Sequence, residues 1–125
     1  MTKHSDKELI KHVEEMREVL NLHEWKISIS FIDGEFDSTA KTPCAIDVSI
    51  PYLTAHIRVF NSANDMPRKE IKYALTHELC HIFTEPLYSI ALANVNPHLE
   101  PFVEEQREQV TERMARIVNK LSINL

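Results

Sequence analysis

A single glycine, Gly34, in 125 residues leaves no Gly-rich loop that could cradle a phosphate, so dinucleotide-binding and P-loop architectures are excluded. The two cysteines, Cys44 and Cys80, are too few for a disulfide framework and point to a reduced, cytoplasmic setting. No apolar run approaches the roughly 18 residues of a membrane span. The opening segment, Met1-Thr2-Lys3-His4-Ser5-Asp6, is polar and lacks the apolar stretch of a secretory signal. Basic residues are outnumbered: 14 Lys and Arg stand against 19 Asp and Glu, and a formal charge of −5 argues against a bare nucleic-acid-binding domain. Internal repeats, low-complexity tracts and Pro/Ser-rich linkers are also missing, so residues 1–125 are expected to form a single domain around one core.

What is present reads as an α+β chain. Ser5 or Asp6 can cap a first helix ending near Leu20, with Leu9, Val13, Met16 and Leu20 on one face. The period then changes: Trp25, Ile27, Ile29 and Phe31 alternate with polar residues, a half-buried strand closed by an Asp33-Gly34 turn. Ala45 to Ile50 and Ala55 to Phe60 read as two further strands. Asp65 and Pro67 suit the start of a second long helix, along which Ile71, Ala74, Leu75, Glu78, Leu79 and Ile82 share a face. Pro86 is expected to stop or kink that helix after Phe83, with a short helix following at Leu87 to Val95. A last helix spans about Phe102 to Leu121, with Val103, Val110, Met114, Ile117 and Leu121 expected to face the core. The expected architecture is an N-terminal helix, a small three-stranded sheet and two long helices.

The chemistry is concentrated in His77-Glu78-Leu79-Cys80-His81, an H-E-x-x-H motif inside the second long helix. Residues four apart on a helix lie one above the other, so both imidazoles can reach one Zn²⁺ at about 2.0–2.1 Å. Glu78 projects beside the same point, where it can take a proton from a zinc-activated water. Its place on the apolar stripe sharpens the reading, because a carboxylate turned toward a core wants a partner or a task. Cys80 does not share the face of the histidines and reads as a structural thiol. His4, His12 and His23 read as surface residues, and Trp25 and Phe31 as core.

A catalytic zinc usually has three protein ligands and one open position. The last helix offers Glu104, Glu105, Glu108 and Glu112. Glu108, Thr111 and Ala115 lie along one flank of its main apolar stripe, where small side chains would let the two helices approach closely. Glu108 is therefore the expected third ligand, with Glu104 and Glu112 as the alternatives or as outer partners of a ligand histidine. An oxyanion donor could come from Tyr88, His98, Tyr52 or His56. The Ala55 to Phe60 strand precedes the motif helix and could take an added peptide strand if it lies at the sheet edge; a central position with both sides paired is the alternative.

These features resemble the gluzincin branch of zinc metallopeptidases, and the chain as a whole is similar to its very small single-domain members found in prokaryotes and phages. The similarity rests on Leu22, Trp25 and Ile27 in a Leu-x-x-Trp-x-Ile opening, on His77 to His81, on Glu85-Pro86-Leu87, and on the Glu-x-x-Thr-Glu-x-Met-Ala run from Glu108 to Ala115. That last run is similar to the E-x-x-A-N-x-F-A segment of peptidases that cleave phage repressors, in which the first glutamate is the third ligand; Thr111 and Glu112 stand where that segment has Ala and Asn. The resemblance implies a zincin-like minimal domain with a mixed sheet packed on the metal helix, and a Zn²⁺ held by His77, His81 and Glu108.

The leading expectation is a zinc metallopeptidase that hydrolyses peptide bonds of a peptide or protein substrate through a zinc-activated water, with Glu78 as general base. The alternative is a zinc-binding regulatory or protein-interaction module with little or no turnover. A zinc-dependent RNA hydrolase fits poorly, since the negative charge comes without basic-aromatic clusters. No nucleic-acid or membrane partner is expected.

Overall fold

A computed structural model describes residues 5–32 and 42–123. Over these described residues the fold is α+β, with three α-helices and one small mixed three-stranded sheet. Helix α1 (Asp6–Val19) starts after Ser5, and Asp6 and Glu8 in its first turn complement the helix dipole. It buries Leu9, Val13 and Met16, as the spacing predicts. Asn21, at φ 55°, turns the chain out of the helix in the left-handed region that Asn tolerates better than most residues. Arg17 then donates to the carbonyls of His23 and Trp25 and ties α1 to the first strand.

Strands β1 (Lys26–Ile32), β2 (Cys44–Ser49) and β3 (Thr54–Phe60) are arranged in the order β1-β3-β2. β3 pairs parallel to β1, Ile29 opposite Ile57, and antiparallel to β2, Ile46 opposite Ile57. β3 is thus the central strand, and an added peptide cannot use it; the edges are β1 and β2. The physical reason lies in burial: Ala55, Ile57, Val59 and Phe60 are all buried, whereas β1 and β2 are mostly half-exposed. The Asp33-Gly34 turn lies outside the described residues.

Helix α2 (Arg68–Asn94) follows a short 3-10 turn at Asn61–Asp65. Pro67 occupies the N-cap, and Asp65 closes the 3-10 turn instead of capping the helix. Ile71, Leu75, Leu79 and Ile82 line its buried side and meet Leu9, Val13, Met16, Trp25, Ile57 and Val59 in one core. Contrary to expectation, α2 runs uninterrupted through Pro86 for 27 residues, with no separate helix at 87–95. A proline inside a helix costs about 3 kcal/mol, and contacts on both sides of it with helix α3 (Glu100–Ile123) offset that cost: Arg107 to Glu85, and Tyr88 to Glu104.

Helices α2 and α3 form an antiparallel pair joined by a short 3-10 turn at Pro97–Leu99. Thr111 and Ala115 of α3 are fully buried against α2, as the small flank predicts. Contrary to expectation, Val110, Ile117 and Leu121 are exposed, and Val103 and Met114 are only half-buried. Small side chains allow close packing of two helix backbones, so the narrow flank was chosen over the wide apolar one. Among the described residues no helix is long and apolar enough to cross a membrane.

Candidate metal centre

His77 and His81 sit one turn apart on α2 with ring centroids 5.1 Å apart and planes 76° to each other. Their Nε2 atoms converge on one carboxylate of α3: His77 Nε2 lies 3.4 Å from Glu108 Oε2, and His81 Nε2 lies 3.5 Å from Glu108 Oε1. One ligand atom from each of the three residues falls within 4.8 Å of the other two, a grouping that could hold a metal ion.

The opposite edges of both rings are held. Glu112 Oε1 accepts from His77 Nδ1 at 3.0 Å, and the Tyr73 hydroxyl donates to the same oxygen at 3.0 Å. His81 Nδ1 lies 3.4 Å from the Thr111 hydroxyl and 3.6 Å from Glu85 Oε1. Thr111 donates its single hydroxyl hydrogen to the Arg107 carbonyl at 2.8 Å, so toward His81 it can only accept. With the hydrogen on Nδ1, each imidazole turns an Nε2 lone pair toward Glu108. Burial lowers the pKa of His81, which keeps it neutral and able to ligate. Two ring nitrogens and a carboxylate, each backed by a fixed partner, form a donor set that suits Zn²⁺.

Glu78 stands beside the cluster, its Oε2 3.8 Å from His81 Nε2. Burial, opposed by His77 and reinforced by the charge of Glu108, raises its pKa to about 7. A carboxyl poised near neutrality is suited to accept and return a proton.

No family model, curated protein or solved structure matches this chain. Geometry and residue chemistry alone therefore carry the functional reading. Of the alternatives on α3, Glu112 takes the outer position behind His77, while Glu104 is occupied by Tyr88 and Arg107.

The structure separates the four candidate oxyanion donors. His56 is hydrogen-bonded between Ser28 and Ser30, on the side of β3 opposite the buried Ala55 and Ile57, and so faces away from α2. Tyr52 is exposed in the β2–β3 turn, and His98 is exposed in the turn between α2 and α3. Tyr88 lies closest to the cluster in the chain, but its hydroxyl donates to Glu104 and its ring stacks under Arg107 at 4.2 Å. Two contributors went unread in the sequence. Tyr73, one turn ahead of His77, lines a recess of about 270 Å³ with Thr42, Pro43, Cys44, His77 and Glu78. Arg107 holds Glu85 at 2.9 Å and Glu108 at 3.3 Å. The signal for Tyr73 was its position four residues before His77, on the same helical face. Cys80 is fully buried, and burial raises its thiol to about 11, in keeping with a structural role.

Proposed function

We propose that the protein is a zinc-dependent metallopeptidase. The observation that carries this reading is the convergence of the His77 and His81 Nε2 atoms on Glu108, with Glu78 alongside. His77, His81 and Glu108 would hold Zn²⁺, which when bound supplies Lewis-acid polarisation of water and of a scissile carbonyl. Glu112 and Thr111 keep the two imidazoles in the ligating tautomer and orientation. Glu78 takes a proton from the attacking water and returns it to the leaving amine. Arg107 keeps Glu108 oriented and offsets part of the negative charge of Glu85, Glu104 and Glu108.

The edge strand nearest the cluster is β2, whose first residue, Cys44, lines the same recess as His77 and Glu78. An extended peptide adding to the outer edge of β2 would bring its backbone past Glu78, and Tyr73 stands at the same recess to meet a side chain. The test is the Glu78→Gln variant in the zinc-loaded protein. Zinc content should stay at one per chain while hydrolysis of unfolded protein substrates falls by about 10²–10⁴-fold. A wild type that binds zinc and cleaves nothing would favour a regulatory module, and a wild type that binds no zinc would overturn the reading.

A further inference from the structure

Along α3, Val103, Arg107, Val110, Met114, Ile117 and Leu121 recur at intervals of four, three, four, three and four, the spacing of a coiled-coil seam. The seam runs for about 27 Å. Its outer positions stand in solvent: Val110 is 47 % exposed, Ile117 60 % and Leu121 61 %, while Val103, Arg107 and Met114 are half-buried. The side of the seam nearest α2 continues into the end of that helix. Leu87, 72 % exposed, and Ala91 form the second wall of an apolar groove of about 180 Å³, opposite Val103 and Val110. From Pro86 to Leu99 the chain carries no charged residue, yet Leu87 and Ile90 stand in solvent. Monomeric surfaces seldom expose large apolar side chains so contiguously without a partner.

The period identifies the kind of partner and the charge identifies its flanks. Residues repeating at 3.5 intervals stay aligned only with another helix. On one side of the seam, Glu104, Thr111 and Val118 are engaged with α2, with Tyr88 or with the core, so no second helix can use those positions. On the other side the flanking positions are Gln106, Arg113 and Lys120, while Arg116, one step further round, is paired with Glu112 at 3.3 Å. This rim is basic in a chain whose formal charge is −5. A second copy is a poor occupant: an antiparallel pair of α3 helices about a twofold axis sets Arg113 and Lys120 beside the same residues of the copy.

We propose that the outward face of α3, together with the end of α2, is the docking surface for an amphipathic helix with an apolar heptad seam and acidic flanks. The surface shares Arg107 with the metal centre but does not depend on the peptidase reading.

The probe is a pair of four-heptad peptides with Leu and Ile in the seam, one carrying Glu at both flanking positions and the other Lys; like charges keep each peptide from pairing with itself. Labelled peptide is titrated with the full chain by fluorescence anisotropy in low and high salt, and the mass of the chain alone is measured by light scattering over a range of concentrations. The Glu-flanked peptide should bind at least about tenfold more tightly than the Lys-flanked one, with the preference shrinking in high salt. Val110→Glu and Ile117→Glu should each abolish binding while the circular dichroism spectrum and zinc content stay those of the wild type. Absence of binding by either peptide, or equal binding of both, overturns the proposal. So does dimerisation of the chain that Ile117→Glu removes, because the occupant is then a second copy.

Discussion

The two sides of the α2–α3 pair invert the usual distribution of side chains. Toward the histidines, α3 presents Glu108, Thr111, Glu112 and Ala115, which are small or polar and largely engaged. Toward solvent it presents Val110, Ile117 and Leu121. Average burial tendencies would place them the other way round. The difference teaches that this helix is oriented by what its neighbour requires. A carboxylate on α3 reaches two imidazoles on α2 only if the backbones come close, and a row of Val and Ile between them would hold the helices apart.

The comparison can be broken from the inner side first. In chelator-treated protein, Glu78 has its pKa raised from 4.5 to about 7, chiefly by burial. For a carboxyl raised on folding, the unfolded chain ionises first, so stability is full below about pH 4.5 and is lost as pH climbs to about 7. Glu78→Gln abolishes that loss. The variant should therefore gain stability over wild type between pH 4.5 and 8, by up to about 3 kcal/mol, as read by urea unfolding at each pH. A difference that is flat with pH would mean that Glu78 is not desolvated.

The next effect sets the two sides directly against each other. Ala115→Leu puts a large side chain at the fully buried contact and should cost about 1–3 kcal/mol in unfolding free energy. Ile117→Ser, two residues on but on the outer side, should change it by no more than about 0.5 kcal/mol. Equal losses would show that the outer stripe is buried in solution. The last effect is on the ligand support. Glu112→Gln removes the carboxylate behind His77 and should weaken zinc affinity about 10–100-fold, measured by competition with a chromophoric chelator, with the fold unchanged.

Much of this was readable from the residues, and what was missed has physical causes. The alternation of Trp25 to Phe31 and the stepping of Leu9, Val13 and Met16 mark elements whose partners are local or whose period is strong. The motif placed its two histidines on one helical face, and the small flank at Thr111 and Ala115 pointed to Glu108. The central position of β3 has no local signature, because strand order depends on contacts between segments far apart in the chain. Pro86 reads as a helix breaker in any local account; only the tie from Arg107 to Glu85 and the Tyr88–Glu104 bond, both across to α3, show why the helix continues. The apolar stripe of α3 misled for a related reason. A period identifies a face, and nothing in the period says whether the chain itself covers it.

Pro86 leaves a mark of its own. It carries no hydrogen for the carbonyl of Ile82, so the ladder of backbone bonds along α2 lacks one rung just beyond His81. One rod thus carries a single weakened rung between the turn that holds the imidazoles and its uncharged end, and the ties from Glu85 and Tyr88 to α3 bracket that point.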